Sequence, residues 1–193
     1  AYLQQARQIG KVIVSFNETV SGMRSVGSIR PDVCYLITGG LSGLGWEVAQ
    51  DLIEQGAHEL ALLSRRAPSE DIQEALKDWQ LQGVNVQVYS VDVSQREMLS
   101  ACLHEINTKQ APLKGIIHCA GVLRDATVLK QDVDSFNAVF AAKVQGSWNL
   151  HELTQNHDLD HFVLFSSIAS QMGSGGQANY AAANAFMDAL VHQ

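Results

Sequence analysis

The chain has 193 residues, 46% of them hydrophobic and 17% charged, which suits one sizeable folded core and excludes a disordered chain. A net charge of −7 excludes the basic stripe of a nucleic-acid surface, and no apolar run nears the roughly 18 residues of a membrane span. The seven histidines and three cysteines form no metal-ligand spacing, and the unpaired Cys34, Cys102 and Cys119 point to reduced thiols and a cytoplasmic location.

Residues 1–31 stand apart from the rest. Ile9 to Phe16 contains the β-prone run Val12-Ile13-Val14, with basic Arg7 and Lys11 nearby, and a linker rich in Ser and Gly follows from Asn17 to Pro31. An N-terminal arm pairing with the edge of the main sheet is the other reading. The chain starts at Ala1 without a signal peptide and reads as a piece of something longer.

From Val33 the pattern becomes regular, and residues 32–193 read as one domain. Strands are expected over Val33–Ile37, Leu60–Leu63, Val84–Val91, Gly115–His118 and Phe162–Phe165, each short and apolar. Helices are expected over Leu44–Gln55, ended by Gly56, then Ser69–Leu81 with Ser69 as its cap, and Gln95–Asn107. Asp132 or Asp134 opens a long helix to about His151, and an alanine-rich helix begins near Ala178. Alternating strands and helices predict an α/β fold: a Rossmann-type, doubly wound parallel sheet with helices on both faces.

The chemistry concentrates at the strand ends. Thr38-Gly39-Gly40-Leu41-Ser42-Gly43-Leu44-Gly45 joins the first strand to the first helix, where glycines and free helix N–H groups can hold a pyrophosphate. The second strand ends in Ser64-Arg65-Arg66, a hydroxyl and a guanidinium suited to a ribose 2′-phosphate, so NADPH is preferred over NADH. Asp92-Val93 suits an adenine amino group, with a helix-capping role for Asp92 or Ser94 as the alternative. Ala120-Gly121 offers a small surface for a ribose or nicotinamide, and His118 beside it reads as a core histidine.

After the fifth strand come Ser166 and Ser167, then Gly173-Ser174-Gly175-Gly176-Gln177, and a helix carrying Tyr180 and Asn184 on one face. A serine and a tyrosine there can grip one carbonyl oxygen, as reduction of a ketone requires. In the long helix, Lys143 lies within an apolar stripe with Phe136, Phe140 and Val144. Two readings stand for it: the side chain snorkels to water, or it enters the interior beside Tyr180 and favours the phenolate.

In order, Thr38-Gly-Gly-x-x-Gly-Leu-Gly45, Leu63-Ser-Arg-Arg66, Asp92-Val93, His118-Cys-Ala-Gly-Val122, Phe165-Ser-Ser167, Gly175-Gly-Gln177 and Tyr180-Ala-Ala-Ala-Asn184 resemble a polyketide synthase ketoreductase domain, of the short-chain dehydrogenase/reductase superfamily. The resemblance covers about Tyr35 to the C-terminus. It implies a catalytic tetrad of Lys143, Ser167, Tyr180 and Asn184, with lysine drawn from the long helix because Asn184 fills the usual lysine place. Ser167, rather than Ser166, matches the family by its distance from Tyr180, and Ser166 is left beside the cofactor. Lys143 and Tyr180 would also touch the nicotinamide ribose.

The implied reaction is reduction by NADPH of the β-carbonyl of an acyl chain held as a thioester on acyl carrier protein, among neighbouring synthase domains. Leu123 and Asp125 keep the outer positions of a Leu-Asp-Asp motif tied to B-type, D-hydroxyl products. Met172 stands where the opposite class has tryptophan. Gln8 to Phe16 resembles the tail of an enoylreductase domain, and family elements beyond Gln193 are expected to be missing. A stand-alone short-chain dehydrogenase acting on a small ketone or alcohol, and a non-catalytic nucleotide-binding scaffold, are the competing readings.

Overall fold

The apolar stretches that mark strands in the sequence form one five-stranded sheet in the order β3-β2-β1-β4-β5, with every pair parallel. The computed structural model describes residues 28–192, so the strand-like run and most of the linker expected within residues 1–31 lie outside the described residues. The strands are β1 (Cys34–Thr38), β2 (Glu59–Ser64), β3 (Asn85–Ser90), β4 (Leu113–His118) and β5 (His161–Leu164). Helices α1 (Gly43–Glu54), α2 (Glu70–Leu81) and α3 (Arg96–Lys109) connect the first four. Between β4 and β5 run a 3-10 turn (Val128–Lys130), α4 (Val133–Phe140), a π turn (Ala141–Gln145) and α5 (Gly146–Thr154). Short α6 (Ala169–Met172) and longer α7 (Ala178–Leu190) follow β5. The expected doubly wound sheet is present.

Every residue of β1 is buried, as a central strand covered on both faces must be. Successive side chains alternate between two apolar layers. Cys34 and Leu36 join Ala61, Leu63, Leu99, Leu103, Ile116 and Leu150 on one face. Tyr35 and Ile37 join Leu60, Leu62, Ala49, Leu52 and Ile117 on the other, where stacked Trp46 and Trp79, 4.6 Å apart, join α1 to α2. Burying one such aliphatic side chain is worth about 1.5–3 kcal/mol, so these layers hold the strand ends in fixed register. The chain steps outward from β1 to β3 and then returns to β4. That reversal leaves a crevice at the carboxyl ends of β1 and β4, where such sheets bind ligands.

Three local expectations change. The long helix from Asp132 does open on Asp132, whose carboxylate accepts from Ser135 N–H while the Ser135 side chain meets the Asp132 backbone in a capping box. It runs without a gap to Thr154, but not as one regular α-helix: a π turn around Lys143 widens it where a buried charge is housed. The glycine-rich loop after Ser167 contains α6, too short for a periodic signal. Ser69 occupies the N-cap position of α2 without a side-chain capping bond. Among the described residues no helix is long and apolar enough to cross a membrane.

Candidate active site

The turn from β1 to α1 is closed by contacts that only glycine permits. Gly39 has φ +69°, and a Cβ there would lie 3.1 Å from the Ala120 backbone. At Gly45 a Cβ would meet the Gly39 carbonyl oxygen at 2.3 Å, so helix and turn pack backbone to backbone. Ser42 is the N-cap residue, and its hydroxyl makes no capping bond. The first N–H groups of α1, with Gly43 and exposed Leu44, are thus available to an anion.

Beside this turn a cavity of about 90 Å³ is lined by Gly39, Ser42, Ser64, Arg65, Asp92, Val93, Ala120 and Gly121. The expected cofactor residues from four strand ends therefore converge. Arg65 Nη1 lies 3.8 Å from Asp92 Oδ2, and both side chains are part-exposed. Asp92 Oδ1 accepts from the Ser94 N–H at 2.9 Å and from its hydroxyl at 2.7 Å. The alternative that Asp92 or Ser94 caps α3 does not hold, because Gln95 is the N-cap residue and the Asp92 bonds close a turn ahead of it. Ser64 Oγ accepts from the Arg66 N–H at 3.2 Å and stays at the rim.

A second cavity, of about 220 Å³, is lined by Leu44, Cys119, Gly121, Leu123, Lys143, Phe165, Ser166 and Tyr180. Gly121 lines both cavities, so the one beside the glycine turn and the one beside Tyr180 adjoin at this residue. Lys143 enters the interior and does not snorkel: it is 5% exposed. Its Nζ donates to the Phe165 carbonyl at 2.9 Å and lies 5.2 Å from the centre of the Tyr180 ring. Burial lowers its pKa from 10.5 to about 8, while Cys119 and Asp188 act weakly the other way.

Tyr180 is half-buried at the start of α7. Asn184, one turn later, is fully buried; its Nδ2 donates to the Tyr180 carbonyl at 2.7 Å, and its Oδ1 has no hydrogen-bond partner among the described residues. Asn184 therefore braces the tyrosine's own backbone, whereas the lysine is held by Phe165. Ser166 Oγ donates to the Asn184 carbonyl at 3.4 Å, and Ser167 Oγ accepts from the Ala169 N–H at 3.2 Å as it opens α6.

The mouth consists of two loops strapped together. Gln177 Nε2 donates to Asp125 Oδ2 at 2.9 Å, Ala126 N–H to the Gly176 carbonyl at 2.9 Å, and Asn179 Nδ2 to the Arg124 carbonyl at 2.9 Å. Leu123 and Met172 remain exposed there. Sequence reasoning missed the Phe165 carbonyl and Asn179. A backbone acceptor leaves no mark on the sequence. Asn179 had a usable signal, an asparagine at a helix start whose Oδ1 accepts from the Tyr180 N–H at 2.7 Å.

The residues present fit a dinucleotide: the Gly39 cradle would be filled by any Cβ, the α1 N–H groups face it, and the adjoining cavity is lined by a buried cation beside a phenol. Fold and site together define a nucleotide-dependent reductase of the short-chain dehydrogenase/reductase type.

The family model named KR domain matches residues 33–193. Lovastatin diketide synthase lovF of Aspergillus terreus is 38% identical over 194 residues, covering 98% of this chain and 8% of that protein. Mycoketide-CoA synthase of Mycobacterium tuberculosis is 41% identical over 192 residues, covering 98% and 4% respectively. Among solved structures, an N-terminal ketoreductase from the macrolactin assembly line aligns with TM-score 0.81 at 32% identity, over 88% of this chain and 35% of that one. A-type ketoreductases from a modular polyketide synthase align with TM-score 0.78 at 44% identity, over 89% and 36%. The chain thus spans under a tenth of those curated relatives and about a third of the structural neighbours. It belongs to the KR-domain family of polyketide synthases, which are oxidoreductases.

Proposed function

We propose that this domain uses NADPH to reduce the β-keto group of an acyl chain held as a thioester on acyl carrier protein, in company with neighbouring synthase domains. The observation that carries this reading is the buried Lys143 ammonium 5.2 Å from the centre of the Tyr180 ring, lining a cavity that adjoins the one beside the glycine turn at Gly121.

Bound NADPH supplies the hydride. Tyr180 donates its phenolic proton to the carbonyl oxygen as negative charge develops there. Ser167 donates a hydrogen bond to the same oxygen, an interaction that is strongest in the transition state. Lys143 stabilises the phenolate left behind and touches the cofactor ribose, while Asn184 braces Tyr180 through its carbonyl. Ser42, Gly43, Leu44 and Gly45 receive the pyrophosphate, and Ser64 and Arg65 receive the 2′-phosphate. Asp92 and Val93 meet the adenine, and Ala120, Gly121 and Ser166 line the nicotinamide end.

Leu123 and Asp125, with Met172 in the tryptophan place, support a B-type, D-hydroxyl product. Incubating the protein with NADPH and a β-keto thioester, then determining product configuration on a chiral column, tests both parts. Absence of substrate-dependent NADPH oxidation removes the reductase reading. An L-hydroxyl product removes the B-type assignment alone.

A further inference from the structure

His118 is 1% exposed and has no part in the reaction above, yet both of its ring nitrogens are engaged. Nε2 lies 3.0 Å from the Ala142 carbonyl, which can only accept, so Nε2 carries the proton. Nδ1 is then an acceptor, and the Thr38 hydroxyl 2.7 Å away donates to it. Thr38 Oγ1 in turn accepts from the Ala120 N–H at 3.2 Å. Every polar atom in this chain has one direction, and none is left over. Register brings it about, since Thr38 and His118 are paired on neighbouring parallel strands β1 and β4.

The two ends of this chain are the two halves of the site. Ala120 packs against Gly39 in the cofactor turn, and Ala142 immediately precedes Lys143 in the π turn. The imidazole also lies against Gly146, where a Cβ would come within 3.4 Å of His118 Cε1 and 2.6 Å of Val93 Cγ2. His118 thus grips the π turn at its second residue and just past its last. Resting on the reductase reading, we infer that His118 is a positioning residue: through Thr38 and Ala142 it locks the lysine-bearing π turn to the glycine turn, fixing where the ammonium sits relative to the cofactor. Burial, reinforced by the Lys143 charge, lowers the His118 pKa to about 4, which keeps the ring neutral and the chain of donors intact near neutral pH.

The test compares His118→Leu with His118→Gln, which keeps a donor and an acceptor on a side chain of similar reach. His118→Leu is expected to lose kcat by on the order of a hundredfold, as a displaced catalytic group does, with a much smaller change in KM for NADPH. The alkaline limb of its kcat profile should move toward the ordinary lysine range as Nζ becomes solvated, and His118→Gln should recover most of both. A loss of melting temperature alone, with kcat and the limb unmoved, overturns the inference. If His118→Leu does not fold, Thr38→Val against Thr38→Ser makes the same comparison. Nitrogen-15 shifts of His118 in the wild-type protein decide independently of turnover: a proton on Nδ1 refutes the chain, whereas an inactive wild type with the proton on Nε2 removes only the reductase reading.

Discussion

The Lys143 ammonium lies 5.2 Å from the centre of the Tyr180 ring while donating at 2.9 Å to the carbonyl of Phe165. Three segments meet in that contact: the π turn, the end of β5 and the start of α7. A cation facing an aromatic ring away from water gains from the ring quadrupole, and the carbonyl satisfies one of its donors. Even so, burial dominates and lowers the lysine pKa to about 8. Two pH effects of opposite sign follow.

In the proposed mechanism reduction uses the ammonium, so kcat should fall with an apparent pKa near 8 as pH rises and Lys143 loses its proton. Stability should move the other way. The folded value near 8 lies below the 10.5 of the unfolded chain, so between these limits the unfolded chain binds more protons. Stability contributed by this group therefore rises with pH across that window, and below it the burial cost is present in full. Lys143→Met should be inactive yet at least as stable as wild type at pH 7, with wild type gaining on it from pH 8 to 10.5. Urea melts at several pH values check this, and a gain for the variant with rising pH contradicts it.

Tyr180→Phe removes one oxygen and keeps the ring under the ammonium. Turnover is expected to drop by a hundredfold or more, the range lost with a general acid, while NADPH affinity changes little. Fluorescence titration with NADPH alongside the kinetic assay separates the two quantities. Equal loss of both identifies Tyr180 as a packing residue.

The strands and most helices were legible because each obeys a local rule: β1 is a continuous apolar run, and Asp132 with Ser135 writes a capping box. The β1–α1 turn was legible for the same reason, since a glycine turn between strand and helix is a contiguous pattern. Lys143 was not. Whether a lysine in an apolar stripe snorkels or turns inward depends on what lies opposite, here a carbonyl 22 residues further along the chain. The π turn escaped too, because His118 from the end of β4 and Val93 from the loop after β3 pack against Ala142 and Gly146, and no periodicity within the helix encodes that. The glycine turn is written locally; the setting of Lys143 is written in tertiary contacts.

Arg65→Ala tests the 2′-phosphate reading. In the structure Arg65 faces Asp92 at 3.8 Å with more than half its side chain exposed, a pair worth little in water. The guanidinium is therefore free to turn to a phosphate at small cost. Losing that charged hydrogen bond should weaken NADPH by about 1.5–3 kcal/mol, roughly ten- to a hundredfold, and leave NADH nearly unchanged. Competitive binding of both cofactors measures the ratio, and an unaltered preference refutes the assignment.

Gly121→Ala puts the lysine geometry to a direct test with a single methyl group. A Cβ at Gly121 would lie 3.1 Å from Lys143 Cε and 3.8 Å from Nζ, so the lysine tip must give by a few tenths of an ångström. Among the described residues nothing else is that close, and the residue has no positive φ to strain, so stability should stay within about 1 kcal/mol of wild type. The lysine tip is tethered to the Phe165 carbonyl and lies 5.2 Å from the centre of the Tyr180 ring, so a shift disturbs both contacts. Displacing an ammonium by even part of an ångström from its working position is expected to lower kcat by about tenfold. Because Gly121 also lines the cofactor cavity, a rise in KM for NADPH should accompany it. A folded Gly121→Ala protein with wild-type kcat would show that the position of Lys143 does not govern the reaction.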